Sequence, residues 1–193
     1  MEQSPPLAKR QRSSSAIVAI TGSSSSGKTT LARSLHQQLQ GDGIAAVVVE
    51  QDRHRQRSSQ NKITYGGKQM PTWEGPQFTD WTKLYATVTK AAANAQVVIV
   101  EGYLLLDALH LCPQLGAMFD AIIFVESTKE QVVARRDSAP RGWESKPLYA
   151  EHCVWPVHVA YLDRVAAARV MDGGHPRAAY LPAADDKQAR LQA

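Results

Sequence analysis

Apolar residues in this chain fall into short continuous runs separated by stretches with helical spacing. Ile17–Ile20, Ala45–Glu50, Gln96–Val100 and Ala121–Val125 are rich in β-branched residues, as strands covered on both faces require. Leu31, Leu35 and Leu39 recur every fourth residue, so Lys28–Gln40 predicts a helix with one buried stripe, ended by Gly41 and Gly43. Phe78–Asn94, Lys129–Arg136 and His152–Ala168 read as further helices, and Arg169–Met171 as a short fifth strand. Arg53–Thr72 is polar and carries Gly66–Gly67 and Pro71, which reads as a mobile loop. Ser138–Pro147 is broken by Pro140, Gly142 and Pro147 and reads as a mobile lid over about residues 138–150. Strands alternating with helices predict an α/β, three-layer fold, about five parallel strands with helices on both faces. Ligands of such sheets sit beyond the carboxyl ends of the strands.

At the first of those ends the chain reads I-T-G-S-S-S-S-G-K-T-T. Gly22, Gly27, Lys28 and Thr29 satisfy the phosphate-loop pattern G-x-x-x-x-G-K-[ST], which makes the predicted fold that of a P-loop NTPase. Such a loop, here Gly22, Ser23, Ser24, Ser25, Ser26, Gly27, Lys28, Thr29 and Thr30, aims backbone N–H groups and a helix N-terminus at one anion. Lys28 is placed to reach the β- and γ-phosphates of ATP, and Thr29 to ligate Mg²⁺. A Gly/Ser turn that binds nothing is the alternative, and the framing by strand and helix disfavours it.

Two acids end the next strands in sequence. Asp52 is the candidate acceptor of a substrate hydroxyl proton and a magnesium contact, against the alternative of a surface cap. Glu101 is a magnesium-organising acid acting through a water. Arg135, Arg136 and Arg141 flank the broken segment and suit phosphate oxygens; a solvated helix end is the plain alternative. Trp73 can stack on a planar ring, with Glu74 accepting bonds from ribose hydroxyls, and Trp143 is a second candidate plate. A tryptophan that only packs is the plain reading.

The chain has 193 residues, enough for one domain over residues 16–193 that buries about 70% of its unfolded surface. Residues 1–15 are polar and read as a disordered tail. Net charge is +4, from 22 basic and 18 acidic side chains. That surplus suits a phosphate pocket and forms no stripe interleaved with aromatics, so no nucleic-acid partner is expected. Cys112 and Cys153 have neither metal-ligand spacing nor the numbers of a disulfide framework. No apolar run is long enough to span a membrane, and the N-terminus lacks the core of a secretory signal. A cytoplasmic protein is expected. Lys9, Arg10 and Arg12 read as a solvated tail, with a nuclear address as the alternative.

The motifs I-T-G-S-S-S-S-G-K-T-T-L, V-V-V-E-Q-D, T-W-E-G-P, V-I-V-E-G-Y-L-L-L, A-R-R-D, H-C-V-W-P-V and V-M-D-G, in this order, resemble nicotinamide riboside kinases, within the uridine-kinase-like phosphate-loop kinases. The resemblance covers about Ile17 to Gly174. Val98–Leu106 and Val154–Pro156 look like the riboside kinases rather than typical uridine kinases. It implies a nucleoside-kinase-like fold and ATP-dependent phosphorylation of the 5′-hydroxyl of nicotinamide riboside, with nicotinic acid riboside a second substrate, in NAD salvage. Asp52 would be the proton acceptor, with Thr29 the other magnesium ligand. Trp73 and Glu74 would hold base and ribose. Arg135 and Arg136 match lid arginines that touch ATP and substrate, and Arg141–Trp143 fall near further lid contacts. Asp172, Gly173 and Gly174 match the loop beside adenine. Arg53, His54 and Arg55 stand where the family has a second acid and aromatics, placing Arg55 at the substrate. The expected partners are small molecules, ATP and a pyridine riboside, and the expected state is a monomer or weak dimer. A uridine/cytidine kinase of the same fold and a non-catalytic ATP-binding regulator are the alternatives.

Overall fold

The computed structural model describes residues 15–56, 61–65, 68–138, 148–167 and 178–181. Strand β1 (Ala16–Gly22) leads through the phosphate loop into helix α1 (Lys28–Gly41), and β2 (Ala46–Glu50) follows. A hairpin, β3 (Asn61–Tyr65) and β4 (Lys68–Thr72), precedes α2 (Trp81–Ala92) and β5 (Val97–Glu101). Two one-turn helices, α3 (Ala108–Leu111) and α4 (Pro113–Gly116), lead to β6 (Ala121–Val125) and α5 (Lys129–Asp137). A π-helical turn over Ala150–Val154 opens into α6 (Trp155–Ala167), and β7 (Ala178–Leu181) closes the series.

Five strands form one sheet in the order β2-β5-β1-β6-β7, and every neighbouring pair is parallel. Alternation along each strand divides the core between two faces, as a pleated strand requires. Ile17, Ala19, Val98, Val100, Ile122 and Phe124 pack with Leu84 and Val88 of α2 and Tyr161 of α6. Ile20, Ile99 and Val125 pack on the opposite face against Ala32, Leu31, Leu35 and Leu39 of α1. The predicted leucine stripe therefore faces the sheet where its spacing put it, though its leucines are partly rather than fully buried and Ala32 is the fully buried residue of that face. In the last turn of α6, Arg164 grips Asp107 with two bonds of 2.8 Å, fastening the helix to the segment after β5. Among the described residues, no helix is long and apolar enough to cross a membrane.

Three elements differ from the sequence reading. Arg53–Thr72 is not wholly a loop: Asn61–Tyr65 pairs antiparallel with Lys68–Thr72. Both strands lie in a two-stranded ribbon, so neither needs an apolar run, and polar residues suit its faces. The helix expected from Phe78 starts at Trp81, because Asp80 caps it by accepting from the Lys83 N–H at 2.9 Å. The fifth sheet strand is Ala178–Leu181; Arg169–Met171 lies outside the described residues, as do residues 1–14 and 139–147 of the expected tail and lid.

Candidate active site

β1 ends at Gly22 with φ 141, and a Cβ there would meet the Val125 carbonyl oxygen at 2.2 Å. The turn into the loop thus requires glycine. Gly27 has φ 98 and stands at the cap of α1, where it offers no side-chain cap bond to the first N–H groups and no acid occupies the first turn. That helix end is left positive and open to an anion. Lys28 is buried, and its Nζ donates to the Ser23 carbonyl oxygen at 2.5 Å. Burial pulls its pKa down to about 8, against the opposing charges of Glu101, Asp52 and Glu74. Ser23 Oγ is buried without a hydrogen-bond partner among the described residues. An orphaned hydroxyl inside an anion cradle is a donor awaiting a ligand oxygen.

Glu101, at the end of β5, is buried and accepts from Thr29 Oγ1 at 3.2 Å. Burial raises its pKa, while Lys28 and the Thr29 bond hold it down. Asp52 lies in the first turn after β2, with 66% of its side chain exposed. Arg55 holds it with bonds from Nε at 3.0 Å and Nη2 at 2.9 Å to Oδ1. The loop, Asp52, Arg55, Glu101, Tyr103 and Arg135 line one cleft of about 330 Å³. Among the described residues no three His, Cys, Asp or Glu side chains group as a metal cage. The oxygens of Thr29, Glu101 and Asp52 still suit Mg²⁺, which keeps waters and substrate phosphates among its ligands rather than a full protein cage.

A second, narrower cleft adjoins the first and shares Asp52, Arg55 and Tyr103 with it. Its other walls include Gln51, Trp73, Gly75, Phe78 and Thr79. Gln51 is buried, and its Nε2 donates to Thr79 Oγ1 at 2.9 Å. Its Oε1 has no partner among the described residues. A Cβ on Gly102 would stand 2.2 Å from that oxygen, so the glycine makes room for the amide.

The structure thus gathers Ser24, Ser25, Gly27, Lys28, Thr29, Thr30, Asp52, Arg55, Glu101 and Arg135 around one cleft, with Trp73 beside it. Arg135 Nη1 also donates to the Ser25 carbonyl oxygen at 3.4 Å. Glu74 and Arg136, expected on the substrate, line neither cleft. They are paired with each other at 3.3 Å, each side chain 4% exposed. Arg141, Trp143, Asp172, Gly173 and Gly174 lie outside the described residues. Gln51, Tyr103 and Tyr149 went unnoticed in the sequence. A signal existed for Gln51, a polar residue closing the apolar V-V-V-E run beside Asp52.

Residues 17–99 match the sequence profile of the phosphoribulokinase/uridine kinase family. No curated protein sequence gives a match. Among solved structures, a possible uridine kinase from Bacillus stearothermophilus is similar with a TM-score of 0.53 at 16% identity, covering 88% of this chain and 91% of its own. A gluconokinase from Sinorhizobium meliloti 1021 gives 0.54 at 14%, covering 94% and 90%. A deoxyadenosine kinase from M. mycoides, solved with bound dATP, gives 0.51 at 14%, covering 92% and 95%. The fold is that of the P-loop kinases. Within it the open helix end, Lys28 and the paired clefts stand at the carboxyl ends of the parallel strands, the position ligands take in such sheets.

Proposed function

We propose that this protein transfers the γ-phosphoryl group of ATP to the 5′-hydroxyl of nicotinamide riboside, giving the mononucleotide used in NAD salvage, and accepts nicotinic acid riboside as well. The observation that carries the reading is that Lys28 and Asp52 line one cleft, which opens onto a second, aromatic-walled cleft.

The backbone N–H groups of the loop and the N-terminus of α1 receive the phosphates. Lys28 exchanges the Ser23 carbonyl for β- and γ-phosphate oxygens, which stabilises its charge in a buried site. Arg135, which lines the same cleft beside Ser25, covers the same charge. Asp52, steered by Arg55, takes the proton of the 5′-hydroxyl as it attacks. Bound Mg²⁺ would supply charge neutralisation on the phosphates, held by Thr29 and Asp52 and, through water, by Glu101. Trp73 stacks on the pyridine ring, and Glu74 serves the ribose hydroxyls once it turns from its buried pair with Arg136. Alignment and charge stabilisation supply most of the rate. Arg136, Arg141 and Trp143 complete the substrate contacts, and Asp172–Gly174 the adenine side. The protein acts in the cytoplasm as a monomer or weak dimer.

Measuring kcat/KM by ADP release for nicotinamide riboside, nicotinic acid riboside and uridine tests this reading. The pyridine ribosides should exceed uridine by at least about tenfold, one 1.4 kcal/mol step. A uridine preference would reassign the protein to pyrimidine nucleosides.

A further inference from the structure

Glu74, Arg136 and Tyr149 come from separate segments and meet out of solvent. Glu74 Oε1 accepts from the Tyr149 hydroxyl at 3.2 Å and from Arg136 Nη2 at 3.3 Å. The Arg136 guanidinium carbon stands 5.4 Å from the centroid of the Tyr149 ring, within range of a cation–π contact. Two more contacts lead outward. Arg136 Nη1 donates to Ser24 Oγ in the phosphate loop. On the other side, Thr72 Oγ1 lies 3.4 Å from the Tyr149 hydroxyl and accepts the Glu74 N–H at 3.2 Å. A continuous polar path therefore joins the phosphate loop to the chain segment that carries Trp73.

We propose that Tyr149 is a positioning residue that holds Glu74 and Arg136 as a link between the donor and acceptor sites, so that filling the phosphate loop loosens the segment Trp73–Phe78. The proposal deepens the reading above and rests on it for the identity of the two sites. Bound phosphate competes for the Ser24 hydroxyl and draws the guanidinium toward itself. A buried carboxylate whose cation is drawn away is costly to leave unpaired. Glu74 relieves that cost by turning toward the hydroxyls of an acceptor. Donor binding thereby prepares the acceptor pocket, and linkage makes the effect reciprocal. Tyr149 sets its size, because its hydroxyl and ring hold both members of the pair in the resting arrangement.

Amide hydrogen exchange on the full chain, with and without magnesium and a non-hydrolysable ATP analogue, tests the link without any acceptor. In the wild type, exchange across Trp73–Phe78, the Glu74 amide above all, should quicken at least about fivefold on analogue binding, the lower range of site coupling. Tyr149→Phe should exchange fast in the free protein and change less than about twofold with the analogue. An unchanged segment in wild type carrying bound analogue overturns the proposal, as does a Tyr149→Phe response equal to wild type. Should Tyr149→Phe fail to fold, Ser24→Ala cuts the other end of the path. Its segment should then stay slow with the analogue bound, and a wild-type response there is equally fatal. Failure of the analogue to bind sinks both this proposal and the phosphate-loop assignment. An intact exchange response without riboside turnover sinks only the acceptor's identity.

Discussion

The proposed donor cradle is one uninterrupted stretch, Gly22–Thr29, bent at a single strand-to-helix junction, whereas the proposed acceptor cleft draws Gln51, Trp73, Phe78 and Tyr103 from three stretches of chain around the ends of β2, β4 and β5. The first is shaped by local backbone geometry, with a Cβ at Gly22 barred by the Val125 carbonyl and α1 left uncapped toward the cleft. The second is held by buried polar contacts across long sequence separations, such as Gln51 to Thr79 and Arg136 to Glu74. The donor side should therefore fail as a unit, and the acceptor side should be tunable one residue at a time.

Asp52 stands on both walls, and its loss should be the largest single effect. Asp52→Ala should lower kcat by about 10²–10⁴-fold, the worth of a positioned base. Its thermal midpoint should stay within about 2 °C of wild type, as expected for an exposed side chain. Near-normal turnover in steady-state assays would remove Asp52 from the reaction. Gly22→Ala should break the donor side structurally. The added Cβ collides with backbone, at a φ that L-residues rarely adopt, so roughly 3 kcal/mol of stability should be lost. Urea unfolding measures that, and a wild-type midpoint would show the junction to be less constrained than drawn.

These two sides differed equally in how far the sequence disclosed them. The cradle was legible because its residues are contiguous and its glycines answer to local conformation. The strands of the sheet were legible because burial on both faces leaves continuous runs such as Val97–Val100. The β3–β4 hairpin was not, since a ribbon outside the main sheet needs no apolar run. Its one signal was Gly66–Gly67 between I-T-Y and K-Q-M, a dipeptide that suits hairpins. β7 was missed because Ala178–Leu181 is short and leaves Tyr180 exposed. The Glu74–Arg136 pair joins residues 62 apart, and no spacing rule reaches that far. What pointed to each residue singly, an acid beside Trp73 and an arginine near the broken segment, gave no hint that they would meet.

Gly102→Ala sharpens the contrast at a smaller scale. The new methyl group must push Gln51, whose Oε1 and Cβ lie 2.2 and 2.5 Å away from it. The acceptor KM should rise about tenfold, the lower end of an overpacking cost, with the ATP KM within about twofold. Equal rises in both would place Gln51 on the donor side.

The smallest effect is a proton. Burial disfavours the charged form of Lys28, whose pKa is lowered to about 8 in the free protein, while an arriving polyphosphate favours it. At pH 7 roughly nine-tenths of the lysine is already charged, so binding takes up little proton there. At pH 9 roughly nine-tenths of it is neutral, so ATP should draw in about one proton and bind nearly tenfold more weakly per added pH unit. Calorimetry in two buffers of different ionisation enthalpy reads that uptake directly; its absence would mean that Lys28 does not meet the phosphates.

The most direct test is transfer of ³²P from the γ-position of ATP across a panel of ribosides and sugars, run with wild type and Lys28→Ala. Label should appear on the 5′-oxygen of nicotinamide riboside with wild type and fall by about 10²–10³-fold with the variant. Tight ATP binding by wild type with no labelled product on any acceptor would contradict the assignment of this cleft to phosphoryl transfer.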